Sequence, residues 1–276
     1  MNTIAVLMTC HNRVETTLGC LRALHAARPP EGMRTRVFLV DDGCTDGTGE
    51  RVLAEFPETK VIRGTGDLFW AGGMRLAWTI AAQEDPEHYL WLNDDSLLFP
   101  DALKVLGLAS QEQADRAILC GSFRSPTTGK LSYGGKREGS GEPIVPDGTL
   151  QDCDIVNGNC VWVPRDVFRR LGNLDPVFTH AIADFDYGLR AKALGIPCKV
   201  APVVLGECES HPSLPRWCRP EIPLRQRFAS LYSPLGYAQP KPYLTFIRRH
   251  YGIAAAIRKG AAIHLRMLFP RLWSGK

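Results

Sequence analysis

The sequence predicts an α/β protein built on a mostly parallel central sheet with helices on both faces. Three observations carry that expectation. Within the first hundred residues, apolar runs of strand length alternate with segments of helical period in the order β-α-β-α-β-α-β. Such alternation calls for parallel strands joined by crossover helices. Two of the runs end in acids: residues 36–40 lead into Asp41, Asp42 and Gly43, and residues 89–92 lead into Asn93, Asp94, Asp95 and Ser96. Strands that end in acids belong at the carboxyl edge of an α/β sheet, where ligands bind. Finally, 276 residues with 45% hydrophobic content suffice for one large domain, or one domain with an appendage.

Each element follows from its residues. Residues 3–8 are continuously apolar, as in a strand covered on both faces. Thr9, Cys10, His11, Asn12 and Arg13 make a polar turn, and from Thr16 the positions Leu18, Leu21, Leu24 and His25 recur at helical spacing up to Pro29 and Pro30. Beyond the second strand, Thr45, Asp46 and Thr48 supply capping chemistry for a helix through Phe56. Residues 60–63 read as a third strand, 64–73 as a glycine-rich loop, and 74–83 as a helix. The fourth strand carries the central acids, and a helical pattern follows Asp101. The later half is less regular. A strand is expected over 117–120, loops or a hairpin over 124–150, and a strand over 154–163 interrupted by Asn157, Gly158 and Asn159. Helices follow over 165–171 and 184–194, the second stopped by Gly195, and a last strand over 198–205. A proline-rich stretch over 212–223 separates a main domain, 1–215, from a helical extension, 216–276.

Charge is unevenly spread. The formal net charge is +4, yet Glu221 is the last acid, and the ten Lys and Arg beyond it face no acidic residue in that stretch. The body is therefore mildly acidic and the tail strongly basic. No segment approaches the ~18 apolar residues of a membrane span, and the N-terminal segment lacks the features of a signal peptide. Nine cysteines without regular spacing read as reduced thiols of a cytoplasmic protein. Cys208, His211 and Cys218 are close in sequence, but no second Cys-x-x-Cys knuckle completes a zinc site. The acidic body and the lack of a recognition motif argue against nucleic acid.

The acids define the chemistry. Asp94 and Asp95 on one rigid strand repel each other unless a cation lies between them, so a hard divalent metal is their natural partner. Taken in order, the turn at Thr9 to Arg13, the segment Val40-Asp41-Asp42-Gly43, the motif Leu92-Asn93-Asp94-Asp95-Ser96 and the segment from Phe178 through Asp184-Phe185-Asp186-Tyr187 resemble those of the family 2 inverting nucleotide-sugar glycosyltransferases, which have the GT-A fold. The resemblance covers about the first 210 residues. Leu68-Phe69-Trp70-Ala71-Gly72-Gly73-Met74 is similar to a bacterial rhamnosyltransferase-like branch that acts on surface glycans.

The resemblance implies a donor-binding half over about 1–100 and an acceptor half over about 101–215. It implies a nucleoside-diphosphate sugar donor held by Thr9, Asn12, Arg13, Asp41, Asp42, Gly73, Arg75, Asn93 and Asp94, with Mg2+ or Mn2+ on Asp95 and His211. Asn157, Gly158 and Trp162 would line the acceptor side, and Asp184 would be the base that deprotonates the acceptor hydroxyl. The acceptor would be a glycan or lipid-linked saccharide, in bacterial surface polysaccharide synthesis. Three positions depart from the family pattern: Arg75 stands where Asn is usual, Asn93 replaces the first acid of Asp-x-Asp, and Ala183 replaces the usual Glu before the base. Asp186 and Arg190 lie four apart, so a helical ion pair accounts for that acid without chemistry.

On a helical wheel of the tail, Arg248, Arg258, Lys259 and Arg266 gather on one side, with Ile253, Ile257, Ala261, Leu265 and Leu268 on the other. Such a helix suits either an anionic membrane surface or packing on the main domain. Two rival readings remain at this point: a sugar nucleotidyltransferase, disfavoured because the turn after the first strand has no glycine, and a catalytically silent nucleotide-sugar-binding subunit.

Overall fold

The computed structural model describes residues 2–210 and 214–273. Its first half follows the expected alternation: β1 (Asn2–Cys10), α1 (Val14–Ala26), β2 (Met33–Asp41), α2 (Thr48–Glu55), β3 (Lys60–Arg63), α3 (Phe69–Ala81) and β4 (His88–Leu92). There follow β5 (Leu97–Leu98), α4 (Ala102–Glu112), β6 (Ile118–Arg124), β7 (Leu131–Tyr133), β8 (Gln151–Asp152), β9 (Cys160–Pro164), α5 (Arg165–Leu171), α6 (Ala183–Ala193) and β10 (Cys198–Glu207). These strands form one sheet in the order β3-β2-β1-β4-β9-β6-β10-β5, with β7 beside β6 and β8 beside β10.

The run from β3 to β4 is parallel throughout, as is the β6–β10 pair. β9 enters antiparallel to both β4 and β6, because it follows the excursion over 124–150, which holds the β6–β7 hairpin, and not a crossover helix. The chain runs outward from β1 to β3, then returns to lay β4 on the other side of β1. That reversal makes a crevice between the carboxyl ends of β1 and β4. Ile4 to Met8 of β1 and all of β4 are buried. Helices α1, through Leu18, Leu21 and Leu24, and α3, through Met74, Ala77, Trp78 and Ala81, bury apolar stripes of the kind that cover such a sheet.

Three expectations need correction. Helix α3 begins at Phe69, so Gly72 and Gly73 are helical and not part of a loop. The strand expected over 154–163 forms only from Cys160. The single tail helix is two, α8 (Pro240–Tyr251) and α9 (Ile253–Leu268), broken at Gly252, whose φ of +85° favours glycine. Arg248 therefore lies on a different helix from Arg258, Lys259 and Arg266.

The described residues fall into two units: 2–174 with 184–210, and 175–183 with 214–273. The sheet belongs entirely to the first. The second contains a 3-10 turn (Arg216–Cys218), α7 (Leu224–Leu231), α8, α9 and a 3-10 turn (Pro270–Trp273). Its small core gathers Trp217, Cys218, Leu231, Ala238, Ile263 and Met267.

Candidate active site

The crevice at the switch point collects the acids. Asp94 and Asp95 follow β4, and across from them Arg13 ends the turn after β1. Arg13 spans both: Nη1 donates to Asp94 Oδ1 and Nη2 to Asp95 Oδ2, each at 3.0 Å. Thr17 Oγ1, one turn into α1, donates to Asp94 Oδ2 at 3.3 Å. Burial lifts the Asp94 carboxyl to about 6, with the nearby Arg13 charge pulling the other way. Asp95 is the more open carboxylate, its side chain 27% exposed against 8% for Asp94. The thiol of Cys208, just past β10, donates to Asp95 Oδ1 at 3.5 Å.

The acids after β2 are put to different uses. Asp41 Oδ1 accepts the Cys44 N–H at 2.8 Å and remains half-buried. Asp42 is 3% exposed and turns away from solvent. Its Oδ1 accepts the Gly66 N–H at 2.8 Å, and its Oδ2 accepts those of Leu68 and Phe69 at 3.0 Å each. A carboxylate taking the orphan amides at the start of α3 acts as that helix's anionic cap, from a distant strand. Asn12 ties the two turns together, its Oδ1 accepting the Thr45 N–H at 2.7 Å. Thr9 lies at the end of β1 against Gly73, where a Cβ would fall 2.2 Å from Thr9 Oγ1. Gly73 thus serves close helix–strand contact, and the second half of the expected glycine-rich loop is the first turns of α3.

One aromatic side chain joins this cluster to the other half. Trp70 Nε1 donates to Asn93 Oδ1 at 2.7 Å. Its ring covers Gly158, where a Cβ would come within 2.4 Å of the indole. Gly158 N–H in turn donates to Asp184 Oδ2 at 2.9 Å. Asp184 is in the first turn of α6 and also accepts the Phe185 N–H, at 3.0 Å. Burial outweighs these amide bonds and raises the Asp184 carboxyl to about 6. Two residues on, Asp186 is fully buried and paired with Arg190 at 2.8 Å. Arg190 also donates to the carbonyls of Leu171 and Asn173, so this pair fixes the helix.

The remaining expected residues divide. Asn157 abuts the site, its Oδ1 accepting the Asn159 N–H at 3.3 Å. Asn159 carbonyl accepts the Asn93 N–H at 3.0 Å and so binds the two loops to each other. Arg75 is half-buried on α3. Trp162 is a correction: it is fully buried on β9, its ring 4.8 Å from that of His88, and cannot line an acceptor cleft. Strand alternation places it with the core residues Cys160, Leu90 and Leu119. His211 lies outside the described residues. The sequence assigns no site role to Trp70 or Thr17, and raises Cys208 only as a zinc ligand. Trp70 alone carried a signal, as an aromatic beside glycines.

No three His, Cys, Asp or Glu side chains cluster as a metal cage among the described residues. The donor set is nonetheless suitable for a hard divalent ion: Asp95 offers oxygen at the mouth of the crevice, and Arg13 shows that a positive group settles between the two carboxylates. Mg2+ and Mn2+ are commonly held by one or two carboxylates together with substrate phosphates.

A parallel half-sheet with acids at its switch point, joined to an antiparallel return strand, defines the GT-A class of fold. The chain belongs to glycosyl transferase family 2, whose family model matches residues 5–172. The solved mannosyltransferase PcManGT from Pyrobaculum calidifontis, in complex with GDP-Man and Mn2+, is similar over 99% of this chain and 88% of its own, with a TM-score of 0.54 and 16% identity. GalNAc-T7, solved with UDP, GalNAc and Mn2+, is similar over 78% of this chain and 44% of its own, with a TM-score of 0.59 and 14% identity. The match thus takes in under half of that second protein. A comparison with curated proteins gave no match.

Proposed function

We propose that the protein is an inverting, metal-dependent hexosyltransferase that moves a sugar from a nucleoside-diphosphate sugar to a hydroxyl of a glycan or lipid-linked acceptor. The observation that carries this reading is the chain of contacts from Asn93, the residue before the Asp94–Asp95 pair, through Trp70 and Gly158 to Asp184. It joins a cation-binding carboxylate pair to a carboxylate raised to about 6. A general base works best with a pKa near the operating pH, and burial has moved Asp184 in that direction.

In this reading Asp184 accepts the proton of the acceptor hydroxyl while that oxygen bonds to the anomeric carbon. The bond from that carbon to the diphosphate oxygen breaks, and the electron pair leaves with the nucleoside diphosphate. Attack from the face opposite the diphosphate inverts the configuration. Thr9, Asn12 and Asp41 border the nucleoside, with Asp42 shaping the loop beside it, while Arg13, Arg75 and the first turn of α3 face the diphosphate. Asp95 would hold Mg2+ or Mn2+, which supplies charge neutralisation to the leaving group. The Mn2+ and nucleotides named for the two solved relatives support this assignment. By their resemblance to rhamnosyltransferase-like proteins, residues 68–74 suggest bacterial surface polysaccharide as the product. The basic tail suggests work on the cytoplasmic face of an anionic membrane.

Nucleoside diphosphate release from UDP-, dTDP- and GDP-sugars with Mn2+, for the wild type, Asp184→Asn and Asp95→Ala, tests the reading. Turnover of one donor that needs metal and is lost in both variants supports it. Variants as active as the wild type would place the chemistry elsewhere.

A further inference from the structure

Helix α9 presents three faces. Ala256, Ile263 and Met267 are its buried residues, and Gly260 lies against Leu244 of α8. Arg258, Lys259 and Arg266 occupy a second face, Arg266 with its guanidinium over the Trp217 ring. On the third, Ile253, Ile257, Ala261, Leu265 and Leu268 recur at i, i+4 and i+3 spacing, and this row stays outside. Ile253 is 68% exposed and Ile257 69%, and the row continues past the helix through Phe269 and Leu272 at 55% and 73%. Within this unit, the apolar row is therefore not the side of α9 that packs. Helix α7 extends the same surface. Leu224, Phe228 and Tyr232 form an exposed i, i+4 row; Phe228 stacks on Tyr232 at 4.6 Å, and Tyr232 Oη lies 3.0 Å from His264 Nε2 on α9.

We infer that this two-helix apolar face seats in the headgroup layer of an anionic bilayer, with Arg258 and Lys259 at its flank meeting the lipid phosphates. This deepens the membrane placement proposed above and rests on it. Monomeric proteins seldom expose a contiguous apolar surface of this extent without covering it. Charge selects the cover: no acid occurs beyond Glu221, so the flanks are uniformly basic and complement an anionic surface. A second copy of the chain would bring the same positive flanks together, which opposes self-association. No helix among the described residues is long and apolar enough to cross a membrane, so the face lies on the bilayer and does not span it.

Flotation of the full chain on vesicles of phosphatidylcholine alone, or with one-third phosphatidylglycerol, tests the inference. The wild type is compared with Ile257→Glu/Leu265→Glu on the apolar face and Arg258→Glu/Lys259→Glu on the flank, each checked for an unchanged circular dichroism melt. The milder pair Ile253→Ser/Ile257→Ser stands in should a charged pair fail to fold. We expect recovery on anionic vesicles only, reduced about tenfold or more in every folded variant. Flotation of the wild type with equal flotation of the apolar-face variants would overturn the face while leaving membrane placement intact. No flotation of the wild type would overturn both. A wild-type dimer in light scattering, dissociated by the apolar-face variants and indifferent to vesicles, would instead make a second copy the occupant. None of these readouts depends on sugar transfer.

Discussion

The proposed reaction requires Asp184 to be ionised when it accepts a proton, in a place that opposes ionisation. Burial raises its carboxyl to about 6, so the group is charged, and competent as a base, only above that value. The rate at low substrate should therefore climb through an acid limb near pH 6 and level off by about pH 7. Asp184→Asn should lower the rate by about 10²–10⁴-fold and leave the residual rate flat across that range. A limb that persists in Asp184→Asn would assign it to another group. Gly158 is the companion test. A methyl there meets the Trp70 indole at 2.4 Å and lies 3.4 Å from Asp184 Oδ2. Gly158→Ala should push the ring aside and cost kcat about 10–100-fold with little change in Tm. An active Gly158→Ala enzyme would show that the Trp70 contact is not needed for catalysis.

At the scale of elements, α3 is held at its N-terminal end from two sides. Asp42 takes three amides at or just before its first turn, and Gly73 lets its backbone settle on Thr9. Gly73→Ala should destabilise the protein by about 1–3 kcal/mol through overpacking. Thr9→Gly in the same chain should recover part of that loss, measured as a coupling in a double-mutant cycle of urea midpoints. How far such elements could be read in advance depended on how local their causes are. β3 and α5 stand where periodicity put them, and the Asp186–Arg190 pair is an i,i+4 contact that spacing alone reveals. By contrast, the capping of α3 by Asp42 joins residues more than twenty apart, and Trp70 over Gly158 joins residues nearly ninety apart. Trp162 went astray because a broken strand conceals its own alternation: the residues before Cys160 are loop, so the inward set could not be counted from them.

For the whole molecule, charge and thiols are both segregated. All nine cysteines are free, and eight are buried; Cys44 alone is half-exposed, with burial raising its thiol above the usual range. One slow equivalent should therefore react with a thiol reagent in the native protein, and nine after denaturation in guanidinium. Several fast equivalents would contradict the closed core around β1, β6 and β10. The tryptophans are distributed in a similar way. Trp78, Trp91 and Trp162 are fully enclosed, while Trp70 stays partly open, with its indole nitrogen on Asn93 and its ring 6.2 Å from that of Trp91. The crevice thus comes with its own optical probe. A donor bound beside Asn93 should shield Trp70 from acrylamide and change the intrinsic emission, and Trp70→Phe should abolish that change. Occupancy could then be followed by fluorescence in real time, without a label and before any acceptor is known.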